Sequence, residues 1–389
     1  MFHKIAVFIF FFCFGIGYAL NPLKPKIHIY IDYATTPALL QMIDFIHQPV
    51  RDKKFIFWRR FPNLHERVNL SDYNAIQIQL PIAENKNNLS WDIMVQNIQM
   101  IYDQNPKAEY IIHSNLWWNS LLIPILKIIP REQIHHLYVY EDGLSNVVHS
   151  RKYYTFLINP ENNDYKTDLM NIFKDQKKYS HHYDLTFHTL YPTTYYFGFV
   201  DYMKTNNSFN LFVQFIGDKN IRNIDWTEIA RHLTPKQKKA LFSLIGFDVN
   251  HYKQQIQNKK VDFILLRSSH TAEEEQIKTI STLFKNYDKN RVLVLKEHPH
   301  LAHRVIATQI QKNIPNTVIF PKHIPFEVLI LADLMPDTVS GYASSVFFSV
   351  PPKKIKYYIT ANKDYYLPFL KKLNMLGDEK IIQSMKEEK

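Results

Sequence analysis

Segments of strand length alternate with segments of helix length along this chain of 389 residues, and the alternation occurs in two series. The first series runs from Ile27–Ile31 to Ile134–Tyr140, and the second runs from Val261–Leu266 to Ile355–Thr360. The strand segments are short apolar runs, which are typical of the buried strands of parallel sheets. The alternation therefore predicts an α/β fold with two parallel-sheet domains. A polar and mostly helical stretch over 153–260 contains the boundary between them.

Local periodicity and capping residues place the other elements. Asp225 marks one helix start, and Thr234 as N-cap with Pro235 at the first helical position marks another. Pro37 suits the first turn of a helix over Ala38–Ile46. Further strands are predicted at Lys54–Trp58, Ala75–Leu80, Glu109–His113, Val292–Leu295, Val318–Phe320 and Leu334–Val339, and further helices at Trp91–Tyr102 and Leu121–Ile129.

Composition excludes several classes of protein. Hydrophobic residues make up 46% of the chain, which excludes a disordered protein, and there is one long apolar run, which excludes a polytopic membrane protein. The single cysteine, Cys13, excludes an intrachain disulfide and cysteine-based metal sites. With eight glycines, the chain contains neither a GxGxxG motif nor a P-loop.

The formal net charge of +11 favours an anionic partner, which is a nucleic acid, a membrane surface or a phosphorylated substrate. No RNP, zinc-finger or helix-turn-helix signature is present, so we do not expect nucleic acid binding. A generally lysine-rich surface is the alternative explanation of the charge.

Residues 1–20 have the features of a signal peptide or a membrane anchor. His3 and Lys4 precede the apolar run Ile5–Gly17, and the small residues Gly17 and Ala19 have the spacing of a cleavage site. The run contains about 13 residues, which suits a signal peptide better than a spanning helix of about 20 residues. If it is not cleaved, this segment would anchor the chain to a membrane.

Asp142 is the first candidate for chemistry, because it follows the predicted strand Ile134–Tyr140. Ligands of open α/β sheets bind outside the carboxyl ends of the strands. A carboxylate there can take a proton from a substrate hydroxyl as a general base. The alternative is a structural role, since Asp142 and Gly143 form a common turn sequence. Glu141 should point to the opposite face and make a structural contact.

His298 and Lys296 follow the predicted strand Val292–Leu295 in the same way. An imidazole there can donate a proton or a hydrogen bond to an anionic leaving group, and Lys296 can add a positive charge. The chain has 18 histidines, so an ordinary core or surface histidine is the alternative.

Three further residues of the second series are candidates for ligand binding, and two of them suggest an anion site. Ser344 and Ser345 precede a predicted helix, where hydroxyls and free backbone N–H groups can bind phosphate, although plain N-capping is the alternative. Glu327 begins another predicted helix and could clamp two ribose hydroxyls, or could be there for the helix dipole alone.

No metal site is predicted. The sequence has no DxD pair and no HExxH motif, and its dense histidine pairs are His135–His136 and His181–His182. Adjacent histidines do not converge on one ion in a strand or a helix.

Taken in order, these segments resemble one family, the bacterial sialyltransferases typified by the multifunctional Pasteurella enzyme and its Photobacterium and Vibrio relatives. The resemblance extends from about residue 27 to about residue 360. The matching stretches are Tyr30–Asp32, Pro37–Leu39, Tyr140–Gly143, Asp225–Thr227, Leu233–Pro235, Lys296–Pro299, Pro325–Leu329, Gly341–Ser345 and Phe348–Ser349.

The resemblance implies a GT-B-like architecture, in which two Rossmann-like domains face a deep cleft. The acceptor-binding domain would cover 24–255, joined by the tail 362–389, and the CMP-donor-binding domain would cover 256–361. The family transfers N-acetylneuraminic acid from CMP-sialic acid to a terminal galactose with inversion, without a metal or a resident cofactor. A galactose-terminated glycan, such as a lipooligosaccharide or a lactose-like sugar, would be the acceptor.

The resemblance also assigns roles to individual residues. Asp142 matches the general base and His298 matches the general acid. The donor site would contain Thr35 at the sialic acid, Lys296 at the nucleotide, Glu327 at the ribose, and Ser344 and Ser345 at the phosphate. The acceptor site would contain Asn85 and His113.

Three positions depart from the family pattern. Glu297 replaces the usual glycine, and its carboxylate either raises the pKa of a nearby histidine or points to solvent. Glu141 replaces an aspartate. The segment Arg267–His270 replaces a Gly- and Thr-rich loop and lacks the acceptor-stacking tryptophan. The sequence therefore leaves the acceptor and the α2,3 or α2,6 linkage open.

We expect a monomer that associates with the inner membrane and has cytoplasmic access to its donor, or that is exported if the leader is cleaved. Two alternatives stay open at this point. The chain could be a non-catalytic glycan-binding surface protein on the same scaffold, because fold does not fix function. It could also transfer another nucleotide-linked sugar.

Overall fold

A computed structural model describes residues 24–81, 87–115, 119–142, 187–198, 200–205, 213–267, 273–299, 306–360 and 367–384. The strands in these ranges are β1 (Lys26–Asp32), β2 (Lys53–Trp58), β3 (Ala75–Gln77), β4 (Glu109–Asn115), β5 (Ile134–Tyr140), β6 (Thr193–Phe197), β7 (Ile221–Asn223), β8 (Lys260–Leu265), β9 (Arg291–Lys296), β10 (Thr317–Phe320), β11 (Thr338–Tyr342), β12 (Ile355–Thr360) and β13 (Ile381–Gln383). The helices are α1 (Thr35–His47), α2 (Asn87–Gln104), α3 (Asn119–Ile128), α4 (Val200–Thr205), α5 (Trp226–His232), α6 (Pro235–Ile245), α7 (Val249–Ile256), α8 (Glu273–Leu283), α9 (Ile306–Asn313), α10 (Glu327–Leu331), α11 (Val346–Ser349) and α12 (Leu367–Lys372).

These strands form two parallel sheets. The first has seven strands in the order β3-β2-β1-β4-β5-β6-β7, and the second has six in the order β10-β9-β8-β11-β12-β13. The prediction of two parallel-sheet α/β domains is therefore confirmed. The second sheet begins at Lys260, shortly after the predicted boundary.

The strand order creates one topological switch point in each sheet. In the first sheet, β1 lies between β2 and β4, and in the second sheet β8 lies between β9 and β11. Crossovers on the two sides of such a strand run in opposite directions, which leaves a crevice outside its carboxyl end. Both switch points are therefore positions where a ligand can bind.

The two sheets share part of their apolar core. One cluster of buried side chains belongs to the first sheet and its helices. A second cluster contains residues from both sheets, such as Tyr30 and Phe263. Helix α5, which precedes the second sheet in the chain, packs against α10 of the second domain. Within the first domain, α1 packs against α6, and Arg67 donates a hydrogen bond to the Ile245 carbonyl at 3.4 Å.

The predicted helix starts at Asp225 and Thr234 are confirmed. The Asp225 carboxylate accepts hydrogen bonds from the backbone N–H groups of Thr227 and Glu228. Thr234 and Gln237 form a reciprocal capping box at the start of α6, with proline at the first helical position.

Two strands were missed and one was misplaced. The stretch 153–260 was predicted to be mostly helical, and its described part contains helices α4 to α7, but it also contains β6 and β7, which extend the first sheet. Strand β6 is rich in threonine and aromatic residues, which suit a buried pleated surface. The strand predicted at Leu334–Val339 begins at Thr338 instead, because Pro336 lacks an N–H group and Asp333 has a left-handed φ of 57°.

One strand of the tail lies elsewhere than predicted. We expected residues 362–389 to join the first domain, but the tail strand β13 pairs in parallel with β12 of the second sheet. Ser384 continues the pairing, since its N–H donates to the Thr360 carbonyl at 2.9 Å. For this strand the prediction is wrong, because the open edge of β12 offers backbone partners.

The leader predicted over 1–20 lies outside the described residues. Among the helices of the described ranges, none combines the length and the apolar character needed to cross a membrane.

Gly341 in β11 provides a test of the second sheet. Its φ is +132°, and a β-carbon there would collide with the Leu265 carbonyl and lie 2.6 Å from the Leu265 nitrogen. We expect Gly341→Ala to lower the free energy of unfolding by about 3 kcal/mol, because strain and overpacking act together. Urea unfolding measures this loss. Gly198→Ala is the control, since a β-carbon there meets its nearest atom at 3.5 Å; equal losses in the two variants would contradict the proposed clash.

Candidate active site

Three polar side chains meet at the switch point of the first sheet. Asp32 ends β1, Asn115 ends β4, and Asp142 follows β5 by two residues. The Asn115 amide donates to Asp32 Oδ1 at 3.3 Å and also hydrogen-bonds Asp142. Asn115 therefore joins the two carboxylates. Asp32 is further held by Gln41, whose Nε2 donates to Asp32 Oδ2 at 2.8 Å.

Burial controls the ionisation of both carboxylates. It raises the pKa of Asp142 to about 6, while hydrogen bonding by Asn115 and the charge of Arg60 act in the opposite direction. Burial also raises the pKa of Asp32 well above its usual value, and the nearby charge of Asp142 raises it further. Asp142 is therefore the carboxylate that is ionised near neutral pH and can accept a proton.

Glu141 points away from this group, as strand alternation predicts. Its Oε2 accepts a hydrogen bond from the Gly198 N–H at 2.9 Å, and burial raises its pKa to about 8. Glu141 therefore makes a structural contact between the ends of β5 and β6.

Arg60 connects the first sheet to the loop that follows β9. Its Nε donates to the Tyr33 carbonyl at 3.1 Å, and its Nη1 donates to the Pro299 carbonyl at 3.2 Å. Its charge also lowers the pKa of Asp142. Pro299 is the neighbour of His298, so one guanidinium spans from the carboxylate group to the histidine loop.

His298 lies two residues beyond the end of β9 and is partly exposed. The preceding Glu297 is 9% exposed, and its Oε1 accepts a hydrogen bond from the Ala307 N–H at 3.0 Å. We expected Glu297 to act on a histidine or to face solvent, but it satisfies the first turn of α9 instead. This contact fixes the backbone from which His298 extends.

Lys296 and Glu327 are buried together in the second domain. The Lys296 ammonium donates to the carbonyls of Lys322 at 2.9 Å and Ile324 at 2.6 Å, so it holds the loop after β10. Burial lowers the pKa of Lys296 to about 7, against the charge of Glu327. Glu327 accepts a hydrogen bond from Ser349 Oγ at 3.1 Å, and its own pKa is raised by burial.

Ser344 and Ser345 lie between β11 and α11, beside the switch point of the second sheet, and both are partly exposed. Ser344 Oγ accepts a weak hydrogen bond from the Val346 N–H at 3.3 Å. The Ser345 side chain makes no capping hydrogen bond to this helix. Its hydroxyl is therefore not used as an N-cap, which was the alternative explanation of this residue.

The remaining predicted residues have different environments. Thr35 begins α1 and is partly exposed, close in sequence to Asp32. His113 is fully buried, with Nδ1 at 2.9 Å from the Tyr140 hydroxyl and Nε2 at 3.2 Å from His28 Nδ1. Asn85 lies outside the described residues.

The structure adds Asp32, Arg60 and Asn115 to the residues that the sequence had suggested. Asn115 ends a strand in the same way as Asp142, so the same argument from strand ends could have found it. Arg60 follows β2 by two residues, and its position at a carboxyl end is the corresponding signal. Their convergence depends on the order of the strands in the sheet.

Comparisons with known proteins agree with this architecture. A family model described as sialyltransferase PMO188 matches residues 27–387. Among solved structures, the chain is similar to the 2,6-sialyltransferase of Photobacterium sp. JT-ISH-224 in complex with CMP and lactose. The two are 22% identical, with a TM-score of 0.76 over 92% of this chain and 78% of that one.

Two further solved structures are similar. The α/β-galactoside α-2,3-sialyltransferase of Photobacterium phosphoreum is 23% identical, with a TM-score of 0.74 over 92% of this chain and 98% of that one. The GT-B domain of a Photobacterium damselae sialyltransferase is 20% identical, with a TM-score of 0.74 over 92% and 99%. The fold is therefore GT-B. No curated protein sequence matches the chain.

Proposed function

This chain belongs to the sialyltransferase family whose model covers residues 27–387, and from that premise we propose that it moves N-acetylneuraminic acid from CMP-sialic acid to a terminal galactose. The supporting observation is the bridge made by Arg60, which contacts the Pro299 carbonyl beside His298 and acts on the charge of Asp142. Asp142 at the first sheet and His298 at the second can thus act, as base and acid, on one acceptor sugar and one CMP-sialic acid molecule.

Asp142 acts as the general base. Its pKa of about 6 leaves it ionised at neutral pH yet basic enough to take a proton from the acceptor hydroxyl. Asn115 orients the carboxylate, and Arg60 favours its charged form. The deprotonated hydroxyl attacks the anomeric carbon on the side opposite to the departing CMP, so the configuration inverts.

His298 acts as the general acid in the same step. It donates a proton or a hydrogen bond to the phosphate oxygen of CMP as the bond to the sugar breaks. Ser344 and Ser345 bind the phosphate, and the Ser345 hydroxyl is not engaged in helix capping. These groups stabilise the charge of the leaving group, and the reaction proceeds without a metal.

The other donor contacts come from Glu327, Lys296 and Thr35. Glu327 binds the ribose hydroxyls, and Thr35 contacts the sialic acid. Lys296 acts on the nucleotide through the loop at Lys322 and Ile324, because its ammonium is directed at two carbonyls of this loop.

The acceptor binds at the first sheet, beside Asn85 and Asp142. A lactose-like sugar, or the galactose end of a lipooligosaccharide, suits this position. His113 supports the acceptor site from the interior of the sheet rather than by touching the sugar, since both of its ring nitrogens contact buried side chains. The chain acts as a monomer that associates with the inner membrane, with access to cytoplasmic CMP-sialic acid.

The pH dependence of the reaction follows from Asp142. The base must be ionised to accept a proton, so kcat/KM should fall about tenfold for each pH unit below about 6 and reach a plateau above it. A profile of kcat/KM from pH 4.5 to 8 measures this acidic limb, which is the part of the profile where activity falls as the pH is lowered. A rate that is independent of pH across this range would contradict the assignment of the base.

Asn115→Ala should move that limb to higher pH. Its hydrogen bond lowers the pKa of Asp142, so removing the amide raises this pKa further above 6. Activity should then fall more at pH 6 than at pH 8. Ser114→Ala is the matched control, since Ser114 is the next residue on β4 and its buried hydroxyl has no partner among the described residues. An unchanged limb in Asn115→Ala would remove Asn115 from the proposed role.

Incubation with CMP-sialic acid and lactose tests the proposed activity. Mass spectrometry should detect sialyl-lactose together with an equal amount of CMP. Sugar binding without release of CMP would identify a non-catalytic glycan-binding protein. Turnover of another nucleotide sugar, with CMP-sialic acid left intact, would reassign the donor.

A further inference from the structure

A second cluster of polar side chains lies inside the first sheet, under helix α1. His28 on β1 and His113 on β4 belong to neighbouring strands and are 1% and 0% exposed. Asp44 reaches them from α1, and its side chain is 20% exposed. His28 lies four residues before Asp32, about 13 Å along the strand from the group around Asp142.

The possible ligand atoms of the three side chains lie close together. His28 Nδ1 and His113 Nε2 are 3.2 Å apart, and Asp44 Oδ2 lies 3.5 Å from His113 Nε2. The ligand atoms of all three residues lie within 4.8 Å of one another. Ligands of one zinc ion with bonds of about 2.1 Å stand about 3.4 Å apart in tetrahedral geometry. The spacing of the cluster is close to that geometry.

In two of the three side chains, His113 and Asp44, the polar atom that faces away from the cluster contacts a neighbouring side chain. His113 Nδ1 lies 2.9 Å from the Tyr140 hydroxyl, so Nε2, which faces His28 Nδ1 at 3.2 Å, is the ring nitrogen on the side of the cluster. Asp44 Oδ1 accepts a hydrogen bond from Gln48 Nε2 at 2.9 Å. Outer partners of this kind orient the ligands of metal sites.

His28 has a corresponding partner on its far side. Its Nε2 lies 3.7 Å from Asp52 Oδ2 and has no hydrogen-bond partner among the described residues. A proton on this nitrogen faces a carboxylate and leaves Nδ1 as the ligand atom. The neighbouring cation, Lys54, donates instead to the carbonyls of Pro49, Asp52 and Tyr73.

We propose that His28, Asp44 and His113 form a binding site for one divalent transition-metal ion, and that zinc matches it best. Two imidazoles and one carboxylate are a common zinc ligand set. The Tyr30 hydroxyl donates to Asp44 Oδ2 at 2.7 Å and so helps to orient this carboxylate.

The ion would join β1, β4 and α1 and would stabilise the first domain. It would enter on the side of Asp44, whose side chain is 20% exposed while the two histidines are buried. Of the three ligands, His113 is also assigned to the proposed acceptor site, whereas Asp142 and His298 are not ligands. Zinc binding is measured without substrates, so its outcome is independent of the proposed transfer reaction.

Zinc binding to the full-length, tag-free protein tests the proposal. The protein is stripped with EDTA, titrated with zinc chloride and desalted, and zinc per chain is measured by mass spectrometry. The wild type should retain about one ion per chain, and zinc should raise its Tm by several degrees. His28→Gln and Asp44→Asn should lose both effects. His135→Gln should keep both, since the His135 side chain is 52% exposed and lies elsewhere.

Two results would overturn the proposal. The first is a wild type that retains no zinc after desalting, which would leave a hydrogen-bonded histidine pair. The second is equal retention by wild type and His28→Gln, which would mean adventitious binding. If the variants do not fold, X-ray absorption of the zinc-loaded wild type decides: a first shell with two imidazoles supports the site, and one with fewer contradicts it.

Discussion

Replacing Asp142 by asparagine should lower sialyl transfer by about 10²- to 10⁴-fold, which is the usual contribution of a positioned base. Asparagine keeps the shape of the side chain and its contact with Asn115, but it cannot take a proton from the acceptor. We expect the loss in kcat, with the Kd for CMP unchanged, because the nucleotide is proposed to bind at the second sheet. Initial rates of CMP release and calorimetric titration with CMP measure the two quantities.

Asp92→Asn is the control for this experiment, since Asp92 is exposed on α2. It should leave both the rate and the affinity for CMP unchanged. If Asp142→Asn turns over at the rate of the wild type, Asp142 is not the base, and the buried Asp32 becomes the next carboxylate to test.

His298→Ala should lower kcat by about 10²- to 10⁴-fold, because the departing CMP phosphate loses its proposed proton donor. In the proposed mechanism the variant lacks the group that eases the departure of CMP, while the proposed nucleotide contacts of Ser344, Ser345 and Glu327 are kept. The Kd for CMP should therefore change much less than kcat. Steady-state kinetics with varied CMP-sialic acid, together with CMP titration, separates the two effects.

His251→Ala is the matched control, because His251 is exposed on α7. It should behave as the wild type does. A variant His298→Ala that loses CMP affinity in proportion to its rate would mean that His298 only binds the donor, and the role of acid would have to be reassigned.

Much of the fold could be predicted from the sequence, because the strands of buried parallel sheets are mostly apolar and β-branched or aromatic. Strands β1, β5 and β12 are of this kind and were predicted within a residue or two. Strands β7 and β13 were not, since each has three residues and little buried surface. Such short edge strands form because a neighbouring strand offers backbone partners, which is a tertiary effect.

The site could be predicted in part for a related reason. Asp142 and His298 each lie two residues beyond an apolar strand, and polar residues at that position stand out in the sequence. Asn115 and Arg60 act on Asp142 only because β4 lies between β1 and β5 and because the loop after β9 approaches the first sheet. The order of the strands within a sheet cannot be deduced from the spacing of the elements along the chain.

Burial also changed the interpretation of individual charges. Lys296 and Glu297 appear in the sequence as two adjacent charged residues, but Lys296 holds two carbonyls and Glu297 holds the start of α9. His28 and Asp44 did not stand out in the sequence, because 16 residues and a turn separate a strand position from a helix position. Their approach to His113 requires the pairing of β1 with β4 and the packing of α1 on them.

A crystal structure of Asp142→Asn with CMP-sialic acid and lactose tests the central claim most directly, because this variant should hold both substrates without turnover. We predict that the side chain at position 142 lies about 2.6–3.2 Å from the attacking galactose hydroxyl, and that His298 lies within the same distance of the leaving phosphate oxygen. A sugar bound away from position 142, or a phosphate out of reach of His298, would contradict the account.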